Sequence, residues 1–167
     1  VLAEYGLEDR VREINHAAVA NARKAIGDLP GRYVVGSVGP GTKLPSLGHI
    51  TVDDLAACAR EQIEALVEAG VDALIIETCQ DLLQVKCTIN ACLKALNEAK
   101  KTPDDIPIMV QVTIEQTGTM LMGSEIAAVV AALKPYPILS LGMNCATGPT
   151  EMSEHVRYLS EYWGKQI

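Results

Sequence analysis

A cysteine and a carboxylate each follow a short apolar run in this sequence, and both side chains could do chemistry there. Cys145 comes two residues after the run Ile138–Met143, and Glu77 comes directly after the run Ala73–Ile76. The thiolate of a cysteine exposed to a cleft can bind a metal or attack an electrophile. A carboxylate beside apolar residues needs a partner. That partner could be the ammonium group of a ligand or an internal salt bridge from a neighbouring strand.

Other polar residues near the runs have simpler structural interpretations. The glycine-rich stretch Gly36–Thr42 could let the backbone approach a ligand, or it could merely turn the chain. His49, in the loop that follows, is predicted to be solvated, and Asp81 is predicted to be the N-cap of a helix. Gln111 and Thr113 alternate with valines, so both are predicted to fill an interior layer of side chains.

The cysteines do not suggest a disulfide framework, because their number is odd and no signal-peptide pattern opens the chain. Cys58, Cys87 and Cys92 lie within helical patterns and are predicted to be small core residues. Cys79 is intermediate, with no evident partner. The cysteine with the strongest indication of chemistry is therefore Cys145.

A complete metal site is not predicted within this chain. A catalytic zinc takes about three protein ligands and one open position, and the sequence contains neither C-x-x-C nor H-x-x-H. A site built from Cys79, Cys145 and a histidine would need residues from separate loops. His16 and His155 lie within predicted helices, which disfavours such a site.

The apolar runs indicate strands that are buried on both faces. We predict four, starting about 31 to 39 residues apart, which is a spacing typical of βα units: Tyr33–Val38, Ala73–Ile76, Ile108–Ile114 and Ile138–Met143. Helical patterns with a 3.6-residue period lie between and around them. They run over Leu7–Ile26, from Thr51 to near Gly70, onward from Asp81, from near Ser124 to before Pro135, and from near Pro149 toward Trp163.

The alternation of helices and strands is typical of parallel βα units, so the predicted fold class is α/β. Eight such units would occupy roughly 250–300 residues, the size of a (β/α)8 barrel, and four are half of that. An open doubly wound sheet is the alternative, although no G-x-G-x-x-G motif follows a strand. Residues 1–167 are predicted to form a single domain, because no linker or repeat divides them.

The composition excludes several classes of function. Of the 167 residues, 49% are hydrophobic and only 4% are aromatic, which predicts an aliphatic core. The formal net charge of −7 and the lack of a basic run argue against a nucleic-acid surface. No apolar run approaches the ~20 residues of a membrane span. We therefore expect a cytoplasmic protein with no nucleic-acid or membrane partner.

Several motifs taken together resemble one family. They are Gly142–Cys145 with the following Ala146–Pro149, the stretch Tyr33–Pro40 and the stretch Glu68–Thr78. In order and spacing they resemble the homocysteine S-methyltransferases, and especially the homocysteine-binding barrels of cobalamin-dependent methionine synthases. The resemblance runs through nearly the whole chain.

The resemblance implies a (β/α)8 TIM barrel of which these four strands are the third to sixth, so that residues 1–167 form a partial barrel domain. It also implies a zinc ion held by three cysteines. The first, in a Gly-x-Asn-Cys motif, is Cys145, and the other two form an adjacent Cys-Cys pair that this sequence lacks. Glu77 would receive the amino group of homocysteine, and Asn144 would support substrate binding. Because strict alternation would aim Asn144 and Cys145 to opposite sides, the backbone is expected to turn there.

The implied reaction is the transfer of a methyl group to the thiolate of homocysteine, which gives methionine. Methylcobalamin and methyltetrahydrofolate, with the modules that bind them, are implied only for a longer parent protein. The isolated segment is expected to be inactive, because its zinc site is incomplete.

Three alternatives stay open at this point. The methyl donor could be betaine or S-methylmethionine. The chain could be a non-catalytic α/β half-barrel that binds a small molecule. It could also belong to a different barrel enzyme in which Glu77 is a general base, although no acid partner is evident. A half-barrel would expose strand edges in each case, which predicts self-association.

Overall fold

A computed structural model describes residues 2–167, and within them five α-helices alternate with four strands. The helices are α1 (Val11–Ile26), α2 (Val52–Glu68), α3 (Leu82–Glu98), α4 (Ile126–Leu133) and α5 (Pro149–Tyr162). The strands are β1 (Val35–Val38), β2 (Ala73–Cys79), β3 (Ile108–Val112) and β4 (Ser140–Met143). The predicted order of elements is confirmed, and most predicted bounds agree within a few residues.

The four strands form one parallel sheet in the order β1-β2-β3-β4. A doubly wound sheet would reverse its strand order at a switch point, whereas here each strand pairs with the next strand along the chain. This sequential order is that of consecutive strands in a (β/α)8 barrel. The α/β fold class is thus confirmed, with the arrangement of a partial barrel.

The two faces of the sheet are buried to different extents. Side chains that point toward the helices are fully buried, as for Leu74, Ile76 and Val110 at 0% exposure. The opposite face is more open, because Val35 and Ser37 on β1 are exposed. The core between sheet and helices therefore holds the strands together, while the other face resembles a barrel interior.

Gly36 is required by this packing. A Cβ atom at Gly36 would lie 3.1 Å from a methyl group of Leu66, 3.2 Å from one of Val71 and 3.3 Å from one of Leu74. Such contacts are tighter than ordinary packing allows without displacement of the neighbours. The close approach of helix and strand explains this glycine without a ligand.

The loop between β1 and α2 is fastened to the start of α3. Asp81 is the predicted N-cap, and its carboxylate accepts a hydrogen bond from the backbone N–H of Leu83. It also accepts from the backbone N–H and the hydroxyl of Ser46, at 2.9 and 2.8 Å. Gln84, in the first turn of α3, donates to the carbonyl oxygen of Pro40. These bonds compensate the buried carboxylate and hold the loop beside the carboxyl ends of the strands.

Two predictions about burial have opposite outcomes. Cys87 and Cys92 are buried, as predicted. The prediction that Cys58 is a core residue is wrong, because Cys58 is exposed on α2. The core face of α2 is formed instead by residues such as Ile63 and Leu66. Within residues 2–167, no helix combines the length and the apolar character that crossing a membrane would require.

The two outer strands differ at their free edges. Only β2 pairs with β1, whose other edge has no partner strand within residues 2–167. At β4 the predicted open edge is partly covered, because Ser140 forms a parallel bridge with Gln166 and Leu141 donates to the carbonyl oxygen of Gln166 at 3.1 Å. The edge of β1 is thus the more available one for pairing with another chain.

We expect the isolated chain to self-associate through the β1 edge and the open sheet face. Val35→Lys places a charge on β1 and should shift the chain toward monomer, since charges on an edge strand oppose pairing. Val52→Lys changes an exposed valine on α2 and is the matched control. Light scattering across a dilution series measures both variants. A wild-type chain that stays monomeric at every concentration would contradict this expectation.

Candidate functional site

The side chains singled out in the sequence meet at one edge of the sheet. Glu77 lies within β2, which continues to Cys79 rather than ending at Ile76 as predicted. Asn144 and Cys145 follow β4 directly. Because the strands are parallel, their carboxyl ends lie side by side, and in barrel folds that edge carries the active site.

The backbone is unusual at both strand ends. Thr78 has φ +61°, and the register between β2 and β3 shifts between Ile76 and Cys79. Cys145 and Ala146 have φ +61° and +50°, so the expected turn after β4 is confirmed. Positive φ is uncommon for residues other than glycine, and for a β-branched threonine it is an outlier. Such conformations cost on the order of 1–3 kcal/mol each and cluster at functional sites.

Asn144 joins the two strand ends through its amide group. Its Oδ1 accepts a hydrogen bond from the backbone N–H of Thr78 at 3.1 Å, and its Nδ2 donates to Thr78 Oγ1 at 2.9 Å. The backbone carbonyl oxygen of Asn144 accepts from Thr113 Oγ1 at 3.2 Å. Three strands therefore contribute to the position of Asn144. Thr113 is buried as predicted, and it also supports the site.

Glu77 is held by hydroxyl and amide donors. Ser37 Oγ donates to Glu77 Oε1 at 2.5 Å, and Asn144 Nδ2 lies 3.5 Å from Glu77 Oε2. Within residues 2–167 no lysine, arginine or histidine forms a salt bridge with this half-buried carboxylate. The internal ion pair considered as an alternative is therefore not found among these residues. A cationic ligand would complement the charge.

The two cysteines near the site have different environments. Cys145 is exposed, and its Sγ lies 3.8 Å from Thr78 Oγ1. Cys79 is 1% exposed, and burial, with the nearby charges of Asp81 and Glu77, raises the pKa of its thiol to about 12. A thiol with so high a pKa stays protonated and is a poor ligand or nucleophile. The accessible sulfur at this edge is that of Cys145.

Comparison with known proteins identifies the family. The family model for homocysteine S-methyltransferase matches residues 1–167. The chain belongs to this family. The methionine synthases of Mycobacterium leprae and Mycobacterium tuberculosis are each 43% identical to it over 165 residues, which is 96% of this chain. The chain spans only 13% and 14% of the lengths of those two proteins.

Solved structures of a homocysteine methyltransferase share the fold. The apo form of MmuM from Escherichia coli is 26% identical, with a TM-score of 0.71 over 93% of this chain and 57% of that protein. The metallated form is 25% identical, with a TM-score of 0.74 over 96% of this chain and 58% of that protein. The homocysteine S-methyltransferase fold thus accounts for the parallel sheet and the edge at which Glu77, Asn144 and Cys145 meet.

Residues 2–167 could supply one zinc ligand at this edge, but they do not form a complete zinc site. Within this part of the chain, no group of three or more His, Cys, Asp or Glu side chains could hold a metal. The exposed thiol of Cys145 is of the ligand type that zinc prefers. Cys79 is buried, and His16 lies on the outer helix α1 beside Glu68. The site that would combine Cys79, Cys145 and a histidine does not form.

Sequence reasoning missed two residues of this site. The polar side chain of Ser37 within the apolar run Tyr33–Val38 was a signal, but its contact with Glu77 depends on the register that pairs Ser37 with Ile75. Thr78 gave no comparable signal, since its conformation and its contact with Asn144 depend on the register shift in β2. His49 agrees with its prediction, because it is exposed in its loop.

Alkylation should distinguish the cysteines of the folded chain. We expect iodoacetamide to label Cys58 and Cys145 quickly at pH 8, since both are exposed, and to leave the three buried cysteines unlabelled. A pKa of about 12 for the thiols of Cys79 and Cys92 leaves a thiolate fraction of roughly one in 10⁴ at that pH. Mass spectrometry measures the labelling, and denatured protein labelled at all five positions is the control. Native Cys79 reacting as fast as Cys58 would contradict the assigned burial.

Proposed function

We propose that residues 1–167 are part of the homocysteine-binding barrel domain of a zinc-dependent methionine synthase, which transfers a methyl group to the thiolate of homocysteine to give methionine. The observation that carries this proposal is the grouping of Glu77, Asn144 and the exposed Cys145 at one edge of the sheet. Membership of the homocysteine S-methyltransferase family and the 43% identity with two methionine synthases support it.

Glu77 is proposed to bind the ammonium group of homocysteine. Its carboxylate is oriented by Ser37 Oγ at 2.5 Å and lies beside the Asn144 amide. A charge-assisted hydrogen bond from an ammonium group is stronger than a neutral one. Holding the amino end of homocysteine in this way would fix where its sulfur lies relative to Cys145, and such positioning lowers the entropic cost of the reaction.

Cys145 is proposed to be one of the zinc ligands, with the remaining ligands supplied from outside residues 2–167. When bound, zinc acts as a Lewis acid that allows the homocysteine sulfur to lose its proton near neutral pH. Cys145 would hold the metal on the same edge as Glu77. The isolated chain is proposed to be inactive, because one ligand does not make a catalytic zinc site.

The methyl donor is proposed to come from other modules of a longer parent protein. The relatives named methionine synthase are about seven to eight times the length of the matched region, since it covers 13% and 14% of them. That length leaves room for modules that bind methylcobalamin and methyltetrahydrofolate. A second candidate is a non-catalytic half-barrel that binds a small molecule, and the lack of a three-ligand group within residues 2–167 favours it for the isolated chain.

Replacement of Glu77 by Gln should weaken homocysteine binding in the full-length protein that contains this chain. Loss of a charge-assisted hydrogen bond costs about 1.5–3 kcal/mol, so KM for homocysteine should rise roughly 10- to 100-fold. The Ki of 4-mercaptobutanoate, which is homocysteine without its amino group, should not change. Steady-state kinetics measures both constants.

Glu115→Gln is the matched control for that variant. Glu115 is a carboxylate near the same edge and accepts a hydrogen bond from Gln80 at 3.3 Å, but no substrate role is assigned to it. Its KM for homocysteine should stay within about twofold of the wild-type value, because glutamine keeps the side-chain size and can still accept the hydrogen bond from Gln80. Equal effects of the two substitutions would contradict the role proposed for Glu77.

Replacement of Cys145 by Ser should remove the weak zinc binding that we expect of the isolated chain. The physical reason is that Cys145 supplies the accessible sulfur at this edge, and a serine hydroxyl is a poor zinc ligand. Competition with a chromophoric chelator measures the affinity. Cys58→Ser, which removes the other exposed thiol, should have no effect. Tight stoichiometric zinc that survives Cys145→Ser would contradict the assignment.

A further inference from the structure

Thr78 and Asn144 form a closed pair of hydrogen bonds. The backbone N–H of Thr78 donates to Asn144 Oδ1 at 3.1 Å, and Asn144 Nδ2 donates back to Thr78 Oγ1 at 2.9 Å. The first bond fixes the orientation of the amide group, because only its oxygen can accept a hydrogen bond. The second bond therefore has a defined direction, from the nitrogen of Asn144 to the hydroxyl of Thr78.

The direction of that second bond decides what the hydroxyl of Thr78 can do. A threonine hydroxyl has one proton to donate and two lone pairs that accept. Since Asn144 Nδ2 can only donate, Thr78 Oγ1 accepts at that contact and keeps its own proton. The remaining hydrogen-bond partner of Oγ1 within residues 2–167 is Cys145 Sγ at 3.8 Å. The hydroxyl of Thr78 can thus donate its proton to the sulfur of Cys145, and either atom can be the donor while that sulfur carries its own proton.

The backbone of Thr78 places its hydroxyl where this contact forms. Thr78 has φ +61°, at the position where the register between β2 and β3 shifts. A β-branched residue in this conformation is strained. Glycine or asparagine would lower that cost, but neither would present a hydroxyl group to both Asn144 and Cys145. The strained backbone of Thr78 therefore occurs where its hydroxyl contacts Asn144 and Cys145.

We propose that Thr78 is a positioning residue, whose hydroxyl fixes the sulfur of Cys145 in the orientation in which it binds zinc. This inference rests on the zinc-ligand role of Cys145 given under Proposed function. Hydrogen bonds to metal ligands orient them, and loss of such a bond typically lowers metal affinity 10- to 100-fold. A cysteine sulfur that bound zinc would carry no proton, so the hydroxyl of Thr78 would be the donor in this contact.

Two substitutions that differ by one oxygen atom test this role. Thr78→Ala and Thr78→Ser both remove the γ-methyl group, so neither has the β-branched side chain that makes positive φ costly. Only serine keeps the hydroxyl. In the full-length protein that contains this chain, we expect Thr78→Ala to weaken zinc binding by roughly tenfold or more. Thr78→Ser should stay within about threefold of the wild-type protein.

The measurement is zinc affinity by competition with a chromophoric chelator, together with the thermal midpoint of each zinc-free variant. We expect Thr78→Ala to have a lower midpoint than Thr78→Ser, because alanine also loses the hydrogen bond from Asn144 Nδ2. Zinc affinity is therefore measured well below both midpoints, where each variant is folded. Thr78→Val keeps the side-chain volume without the hydroxyl, and it should bind zinc as weakly as Thr78→Ala. Equal zinc affinities for the alanine and serine variants, whether both strong or both weak, would overturn the inference.

Cys145→Ser in the same protein separates this inference from the proposed function. If Cys145→Ser loses zinc while Thr78→Ala retains it, the role of Thr78 is overturned and the zinc-ligand role of Cys145 stands. If Cys145→Ser retains wild-type zinc affinity, the proposed function fails, and the inference about Thr78 fails with it.

Discussion

The hydrogen bonds between Asn144 and Thr78 are the interaction on which the candidate site depends. They join the ends of β2 and β4, which are not neighbours in the sheet, across the end of β3. Asn144 Nδ2 also lies beside Glu77, and Cys145 is the next residue along the chain. The amide group of Asn144 therefore sets the position of the Glu77 carboxylate relative to the Cys145 thiol. A change in the position of either strand end would move both Glu77 and Cys145.

This arrangement is strained, and the core behind it supplies the rigidity that maintains the strain. Thr78, Cys145 and Ala146 have positive φ, and conformations of this kind persist only where the surrounding structure determines them. The helix-facing side chains of the sheet, such as Ile76 and Val110, are fully buried in an aliphatic core. Such interiors are close-packed and resist small displacements. The candidate site thus depends on a core that contributes none of its side chains.

The electrostatics of the edge are consistent with the family to which the chain belongs. Glu77 keeps its carboxylate near hydroxyl and amide donors, and no cationic side chain within residues 2–167 forms a salt bridge with it. Cys145 presents an exposed thiol, whereas the thiol of Cys79 is buried with a pKa of about 12. An ammonium group and a soft metal are the partners that these two groups favour. Both would be held on the same edge, as the proposed function requires.

Local sequence patterns by themselves determined the α/β order, the cap at Asp81, and the placement of Glu77 and Cys145 near the carboxyl ends of strands. Periodicity and capping act over a few residues, so they can be read from the chain. Tertiary structure alone decided the contacts of Thr78, because its partner Asn144 lies 66 residues away and the register shift in β2 is set by pairing with β3. It also decided that Cys58 is exposed, since a helical pattern does not specify which cysteine reaches the core. Pairings between distant segments depend on strand register and packing, which no local pattern contains.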